Sequence, residues 1–484
     1  MHERWEAVIG IECHVELKTK TKMFCGCPNE FGGEPNSKVC PVCLALPGSL
    51  PVANNAAIEL VLRAGLAFGA HIPTFSKFDR KNYFYPDMPK DYQISQYDMP
   101  LTKGGIVQFW LSDGTLKECQ LTRIHLEEDT GKSSHGGSID GRISGSSYSL
   151  IDFNRAGVPL MECVSEPDLG SAQEAVAYLE ALKRTFMQLK VSDVKMEQGS
   201  LRCDANVSIR RVGSSELGTK TEIKNMNSFR SVGRAIESEI SRQIQILDSG
   251  GRVTQETRGW DEAQGITHAM RSKELAHDYR YFPDPDLVPL EFDRAFIERV
   301  QTTLPELPAH RFVRYRSLGL NVAQATQLVD DLRLADFFDA CVHAGGKPQQ
   351  STNLVLGDLS KFANESGVHV ADSQVSPKGV AELIELLDTQ TINSRIAKDL
   401  LGRMWQFGVP PRQTVEKEGL AQTTDAGAID AFVDDVLEAN EQSVSDFRAG
   451  KDNALKFLIG QVMKLSRGKA NPALVEARLR ERMR

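Results

Sequence analysis

Four short stretches of this chain follow the two-residue period of a β-strand, whose successive side chains face opposite sides. In residues 9–17, Ile9, Ile11, Cys13, Val15 and Leu17 share one face and Gly10, Glu12, His14 and Glu16 the other. Residues 121–128 set Thr122, Ile124 and Leu126 against Arg123, His125 and Glu127. Residues 201–210 set Leu201, Cys203, Ala205, Val207 and Ile209 against Arg202, Asp204, Asn206, Ser208 and Arg210. The fourth stretch, 158–164, places Glu162 with Leu160 and Val164 in an otherwise apolar segment, where an acid needs a partner. Each stretch alone reads as a half-buried antiparallel strand with a solvated outer face. Together, acids and an imidazole on several polar faces bring in a second reading, a hard-cation site, since Mg2+ takes oxygen ligands and is usually shared with substrate phosphates.

Elsewhere the period lengthens to that of a helix. Ser171 and Glu174 form a capping box ahead of Val176, Leu179, Leu182, Phe186 and Leu189, which predicts a helix over 171–190. Ile236, Ile240, Ile244 and Leu247 predict another over 231–247, stopped by Gly250 and Gly251. Strands interrupted by helices without a regular βαβ rhythm predict an α+β domain on an antiparallel sheet over residues 1–292. Prolines in 279–290 and 304–308 mark its end. Beyond them the pattern is almost wholly helical, as in 325–342, and a break at 407–414 divides a helical segment, 293–406, from a last helical module, 407–484. A chain of 484 residues is too long for one core, in keeping with this division.

Composition, at 41% hydrophobic and 25% charged residues, is that of a soluble globular protein. No apolar run approaches the ~20 residues that span a bilayer, and the opening MHERWEAVIG lacks the apolar core of a secretory signal. A cytoplasmic location with no membrane partner is the expectation. A net charge of -8 argues against a surface built throughout for nucleic acid, but charge is segregated near the end. Residues 425–446 hold seven acids and no base, whereas 451–484 hold nine Lys or Arg against three acids. A nucleic-acid surface and a solvated helical face both produce that asymmetry.

Of the nine cysteines only Cys25, Cys27, Cys40 and Cys43 cluster, as CxC, twelve residues, then CPVC, which argues for a reducing compartment and against a disulfide framework. Two short loops that each aim two thiolates at one ion suit a tetrahedral structural zinc site. The rival is redox use of Cys40 and Cys43, although no thioredoxin-like βαβ pattern follows them. The segment 77–98 is dense in Lys, Arg, Asp and Tyr, as loops that line sites are; Lys81 could hold phosphate, with Asp79 or Asp87 orienting it. A surface loop tied by local ion pairs competes with that reading. In 219–229, Lys220, Glu222 and Lys224 share one face; with Lys81 and Arg202, these lysines are candidate nucleotide-binding cations, although a plain salt-bridge ladder would look the same. The Gly/Ser-rich stretch 136–147 lacks the GK[ST] ending of a phosphate loop and reads as a hairpin connection. Cys13 lies beside His14 in sequence but on the opposite strand face, so it reads as a small core residue rather than a nucleophile.

The segments 9–52, KFDRKNYFYPDMPKDYQISQYD (77–98), HLEEDTGK (125–132), DFNRAGVPLMECVSEPD (152–168), GSLRCDANVS (199–208), GTKTEIKNMNSFR (218–230) and HDYRYFPDPDL (277–287) closely resemble the B-subunit family of bacterial aspartyl/glutamyl-tRNA amidotransferases. The resemblance covers nearly all of residues 5–290 in collinear order, and IGQVMKLSRGKANP (459–472) resembles that family's helical tRNA-binding tail. It implies a cradle domain related in fold to glutamine synthetase with an inserted zinc ribbon at about 24–44, then helical and tail domains. It also implies ATP-dependent conversion of Glu-tRNA(Gln) or Asp-tRNA(Asn) to the amide. By the same resemblance Glu12, His14, Glu127 and Glu162 would bind Mg2+, Lys81 would contact phosphate, and Asp204 would share the cleft. Glu127 is preferred over Glu128 because alternation puts it opposite Ile124 and Leu126. Zinc held by the four cysteines would help to place the acceptor end of the mischarged tRNA. A glutaminase A-subunit with a small C-subunit would complete a heterotrimer, since this chain carries no candidate machinery for releasing ammonia from glutamine. Cys13 departs from the aliphatic residue usual at its position. A non-catalytic, tRNA-binding scaffold is the alternative from another class. An archaeal-type relative would carry an extra inserted domain, and none is visible between the matched motifs.

Overall fold

All four alternating stretches become strands of one sheet. In chain order its strands are β1 (Trp5–Glu16), β2 (Thr102–Lys103), β3 (Ile106–Trp110), β4 (Leu116–Glu128), β5 (Pro159–Ser165), β6 (Leu201–Arg211), β7 (Thr221–Lys224), β8 (Thr257–Asp261) and β9 (Ile266–Ala269). They lie in the order β9-β8-β7-β6-β1-β5-β4-β2, with β3 also pairing β4. Every pairing is antiparallel except β7 with β8. The computed structural model describes residues 4–137, 146–270, 279–422, 426–466 and 469–483. It divides into two compact units, residues 1–311 and 312–484.

Register turns the alternation into a site. His14 on β1 stands opposite Glu162 on β5 and Arg202 on β6, and Glu12 opposite Val164 and Asp204. On the next pairing Glu162 stands opposite His125, and Leu160 opposite Glu127. The other face is apolar: Ile9, Ile11, Cys13, Val15 and Leu17 are each at most 1% exposed. It is covered by α1 (Asn55–Ala67), α2 (Ala172–Leu189) and α3 (Phe229–Asp248), which add Val61 and Leu62, Tyr178, Leu182 and Phe186, and Val232 and Ile236 to one core. At ~1.5–3 kcal/mol per buried large apolar side chain, a one-residue slip of β1 would expose that whole set, so the burial that stabilises the sheet also fixes where its polar groups point.

The predicted helices form with small differences at their ends. Ser171 caps α2 by accepting from the Glu174 amide at 3.1 Å, but the Glu174 carboxylate accepts from the Gly170 amide at 2.8 Å, so the box closes one residue early. Ser228 caps α3, which begins at Phe229, two residues ahead of the predicted start. After the proline-rich segment, Phe292, Phe296, Ile297, Leu304 and Leu307 still pack on the core of the first unit. Strands Lys132–Gly136 and Tyr148–Asp152 form a hairpin whose tip, 138–145, lies outside the described residues, as do residues 277 and 278 of the HDYRYFP motif.

The described secondary structure of the second unit is helical. The stretch 325–342 is two helices, Val322–Asp330 and Leu332–His343, because Asp331 adopts an extended conformation and its carboxylate accepts from the Arg333 and Leu334 amides. The break at 407–414 is a left-handed Gly408 (φ +63°) followed by Pro411 in the first turn of the next helix. The last helices bury Ile429, Val433, Leu458, Val462, Val475 and Leu479 together. Their charge segregation is partly internal, since Arg478 reaches Asp430 at 3.2 Å and Arg482 reaches Asp434 at 3.0 Å. Among the described residues no helix is long and apolar enough to cross a membrane.

Candidate active site

The polar face of β1, β4 and β5 gathers two histidines and two acids from three distant segments. His14 Nε2 lies 3.5 Å from Glu127 Oε1 and 3.6 Å from Glu162 Oε2. His125 Nε2 lies 3.1 Å from the same Glu162 oxygen and 3.9 Å from Glu127 Oε2. Ser95 Oγ, at the end of the short strand Tyr92–Ser95, donates to Glu127 Oε2 at 3.2 Å. Burial alone would favour the protonated form of Glu162, but His125, His14 and Lys81 outweigh it and hold the carboxyl well below its usual range. It is therefore an anion in a largely buried setting, the state that a cation ligand requires.

His14, Glu127 and Glu162 can present one donor atom each with all three within 4.8 Å of one another. Octahedral Mg2+, at about 2.1 Å from its ligands, spaces adjacent donors roughly 3 Å apart. The separations of 3.5 and 3.6 Å need only a small inward movement of side chains already aimed together, so the group fits a divalent ion. Glu12 belongs to the same cleft but not to that trio; its Oε1 accepts from Asn206 Nδ2 at 2.9 Å.

Around these groups runs a cleft of about 570 Å³, lined by Glu12, His14, Lys81, Arg123, His125, Glu162, Asp204, Glu222 and Lys224, with an aromatic wall of Tyr85, Tyr97, Tyr279 and Tyr281. At one end Lys224 bonds Asp204 at 2.5 Å and lies 3.5 Å from Glu222, whose other oxygen accepts from Thr257. Burial opposes the Lys224 charge, but these two acids hold its pKa above the ordinary lysine value. At the other end Lys81 stands 5.0 Å from the Tyr279 ring centre; burial again opposes, and neighbouring tyrosines with Glu127 and Glu162 raise its pKa. Tyr97 and Tyr281 stack at 4.4 Å and 11°. The cleft thus carries fixed cations at both ends of an acid-rich floor.

Most of the expected residues converge here, but Arg202, Lys220, Asp79 and Asp87 do not. Arg202 bonds Asp129 at 2.6 Å and Lys220 lies in a neighbouring recess with Leu217 and Gly218; neither lines the cleft. Asp79 and Asp87 do not orient Lys81: the first pairs with Lys77 and accepts from the Tyr97 amide, and the second accepts from Thr130 Oγ1. β4 continues through Glu128, which turns away to Lys90 (2.5 Å) and the Ile94 amide (3.0 Å), while Glu127 joins the cluster. His125 shares the Glu127 face by the same alternation and opens the 125–132 segment, yet neither signal gives it a role at the site. Glu222, Tyr279 and Tyr281 likewise fall within quoted segments whose pattern gives them no role.

The four cysteines form a second cluster. Their Sγ atoms all lie within 4.8 Å of one another, with Cys40 and Cys43 3.9 Å apart. Tetrahedral zinc with 2.3 Å bonds spaces its sulfurs roughly 3.8 Å apart, so the donor set fits that ion. The hydrogen bond from Cys25 draws the Cys43 thiol down to a pKa of about 5, against the effect of burial, and the Cys40 amide and Lys22 act the same way. Burial pushes Cys27 up to about 11.

The sequence matches the family described as the GatB/GatE catalytic domain over residues 7–298, and the family described as the GatB domain over 336–483. It is 52% identical over 480 residues, 99% of this chain and 100% of the relative, to the aspartyl/glutamyl-tRNA(Asn/Gln) amidotransferase B-subunit of Moorella thermoacetica. It is 49% identical over 480 residues, 99% of both chains, to the protein of that name from Carboxydothermus hydrogenoformans. The corresponding protein of Geobacter sulfurreducens is 48% identical over 481 residues.

Proposed function

The chain belongs to the GatB/GatE family, and from that membership we propose that it is the component of a tRNA-dependent amidotransferase that activates and amidates the side-chain carboxylate of Glu-tRNA(Gln), Asp-tRNA(Asn) or both. The observation that carries the reading is the convergence of His14, Glu127 and Glu162 beneath a cleft flanked by Lys81 and Lys224. Ammonia cannot expel oxide from a free carboxylate. The carboxylate oxygen therefore first attacks the terminal phosphorus of ATP and ADP leaves; ammonia then adds to the acyl carbon, phosphate leaves, and a proton is lost to give the amide.

In this proposal His14, Glu127 and Glu162 hold Mg2+, with Glu12 in reach from the same strand. Held there, the ion would supply charge neutralisation for the phosphoryl transfer. His125 donates to Glu162 and keeps its carboxylate turned inward. Lys81 and Lys224 offset phosphate charge from opposite ends, Asp204 fixing the latter. Residues 1–292 would be a cradle of glutamine-synthetase type with a zinc ribbon at about 24–44, 293–406 a connector, and 407–484 a tRNA-binding tail. Ammonia would come from a glutaminase A-subunit, with a small C-subunit completing the heterotrimer in the cytoplasm.

Purified chain with its glutaminase and small partner chains, ATP, glutamine and each mischarged tRNA is expected to form amide product. Glu12→Ala and His14→Ala are expected to abolish it with tRNA binding intact. Unchanged turnover in both variants would return the acidic face to a scaffold role.

A further inference from the structure

Lys22 is completely buried, and the cleft gives its charge no task. An ammonium withdrawn from water is strongly disfavoured unless an anion faces it. Its Nζ stands 3.8 Å from Cys43 Sγ and donates to the Phe153 carbonyl at 3.3 Å. A carbonyl and a neutral thiol do not balance a full positive charge, whereas a thiolate does, and four thiolates around one Zn2+ leave a negative excess. We propose that Lys22 is a positioning residue of the four-cysteine metal centre, its ammonium pairing with the Cys43 thiolate and tying the loaded centre to the turn at 151–157. The proposal rests on the zinc reading above.

That turn and the loop between the two cysteine pairs hold each other. The Asn36 amide donates to Asp152 Oδ1 at 2.9 Å and the Phe153 amide to Asn36 Oδ1 at 2.8 Å. The Lys38 amide donates to Asn154 Oδ1 at 2.7 Å, and Asn154 Nδ2 to the Glu34 carbonyl at 2.7 Å. Beside Lys22, the Met23 amide donates to the Gly157 carbonyl at 2.7 Å. Gly157 has φ +82°, and a Cβ there would sit 3.6 Å from Cys43 Cβ and 3.8 Å from Lys22 Cδ, so turn and centre approach closely. The same turn leads into β5, which carries Glu162. Lys22 thereby links metal occupancy to the backbone that enters the catalytic strand, and second-sphere partners of this kind govern how tightly a metal is held.

The test uses the full-length chain loaded with zinc, read by metal content and by the rate of transfer to a colorimetric chelator. Lys22→Met is expected to release zinc ~10–100-fold faster than wild type. Asn36→Ala, which removes only loop hydrogen bonds, is expected to speed amide exchange at 151–154 while leaving zinc release unchanged. Equal release by wild type and Lys22→Met overturns the proposal while leaving the zinc reading in place. A wild-type chain that takes up no zinc overturns both. Should Lys22→Met fail to fold, wild-type chain stripped of zinc decides: faster amide exchange at 151–157 supports the link, and unchanged protection ends it.

Discussion

The acid and imidazole cluster and the four-thiol cluster are both competent to hold a metal, yet they are built by opposite means. Donors of the first come from β1, β4 and β5, neighbours in a sheet whose reverse face is buried under three helices, so strand register fixes their positions. Donors of the second come from turns within residues 25–43, in a segment with exposed apolar side chains such as Phe31 at 75% and Leu46 at 49%. A sheet can hold ligands apart and aimed before an ion arrives. A short segment without a core of its own depends on the ion for its shape. The difference separates a donor set held in place by the fold from one whose geometry suits an ion that shapes its own segment.

Removing metal is the strongest way to break this contrast. Binding of structural zinc contributes ~10 kcal/mol or more in isolated fingers; here Lys22, Asn36 and Asn154 retain part of the segment. Chelation is expected to speed amide exchange over 24–49 by ~10³-fold, about 4 kcal/mol, while β1, β4 and β5 stay protected. Equal loosening of the strands would show that the sheet cluster also needs its ion to form.

Next in size is Glu162→Gln. The amide keeps the volume and a hydrogen bond to His125 but removes the anion that two histidines and Lys81 stabilise. Amide formation is expected to fall by ~10²–10³, as for loss of a preorganised electrostatic contact, together with a stability loss of about 3 kcal/mol at pH 7 in urea unfolding, because the folded state favours the ionised carboxyl. A large stability loss without a rate effect would assign the cluster to structure.

Glu239 sharpens the comparison from outside both regions. It is fully buried on α3, accepting from Arg242 Nε at 2.9 Å and Nη2 at 2.6 Å, from Gln243 Nε2 at 2.9 Å and from Thr267 Oγ1 at 3.0 Å. Burial raises its pKa, but these donors prevail and leave it below the ordinary value. A carboxyl whose folded pKa lies below its unfolded value of ~4.3 stabilises the protein above that pH and loses the contribution as pH falls through its folded pKa. Glu239→Gln is therefore expected to cost ~3 kcal/mol at pH 7, a cost that shrinks as pH falls below the unfolded value and through the lowered folded pKa, with activity per folded molecule unchanged. Unlike Glu162, this acid has every partner it needs within the protein.

How much of this was legible in the sequence follows from the range of the interactions. The cysteine pairs are local, and their spacing alone indicates convergence. Alternation correctly assigns faces in β1, β4 and β6 because period two is a property of one strand. It cannot say that β1 lies between β5 and β6, which is set by contacts far apart in the chain. Nor does it give height along a strand: Arg202 shares the Asp204 face but reaches Asp129, two residues toward the end of the sheet where Glu16 and Arg155 gather. The same alternation groups Lys220 with Lys224, yet β7 begins only at Thr221, so the Lys220 side chain escapes the register. Tyr279 and Tyr281 lie in a proline-rich run that reads as a boundary, and only their packing against Lys81 and Tyr97 makes them a wall of the cleft.

The smallest expected effect tests whether the two faces of β1 act independently. Cys13 adjoins His14 in sequence but is fully buried on the apolar face, directly opposite Cys163 on β5 and Cys203 on β6. Burial pushes its thiol well above the ordinary range, with the neighbouring cysteines adding to the effect, so it is a neutral apolar group and not a nucleophile. Cys13→Val adds about one methyl group of volume in a β-branched form suited to a strand. The expected change in unfolding free energy is less than ~1.5 kcal/mol, with kcat and metal affinity unchanged. A rate loss comparable with that of Glu162→Gln, in a variant that unfolds at the same urea concentration as wild type, would mean that core packing sets the position of His14. The cluster would then be tuned from behind the sheet, and its preorganisation would belong to the packing of three cysteines as much as to the register of the strands.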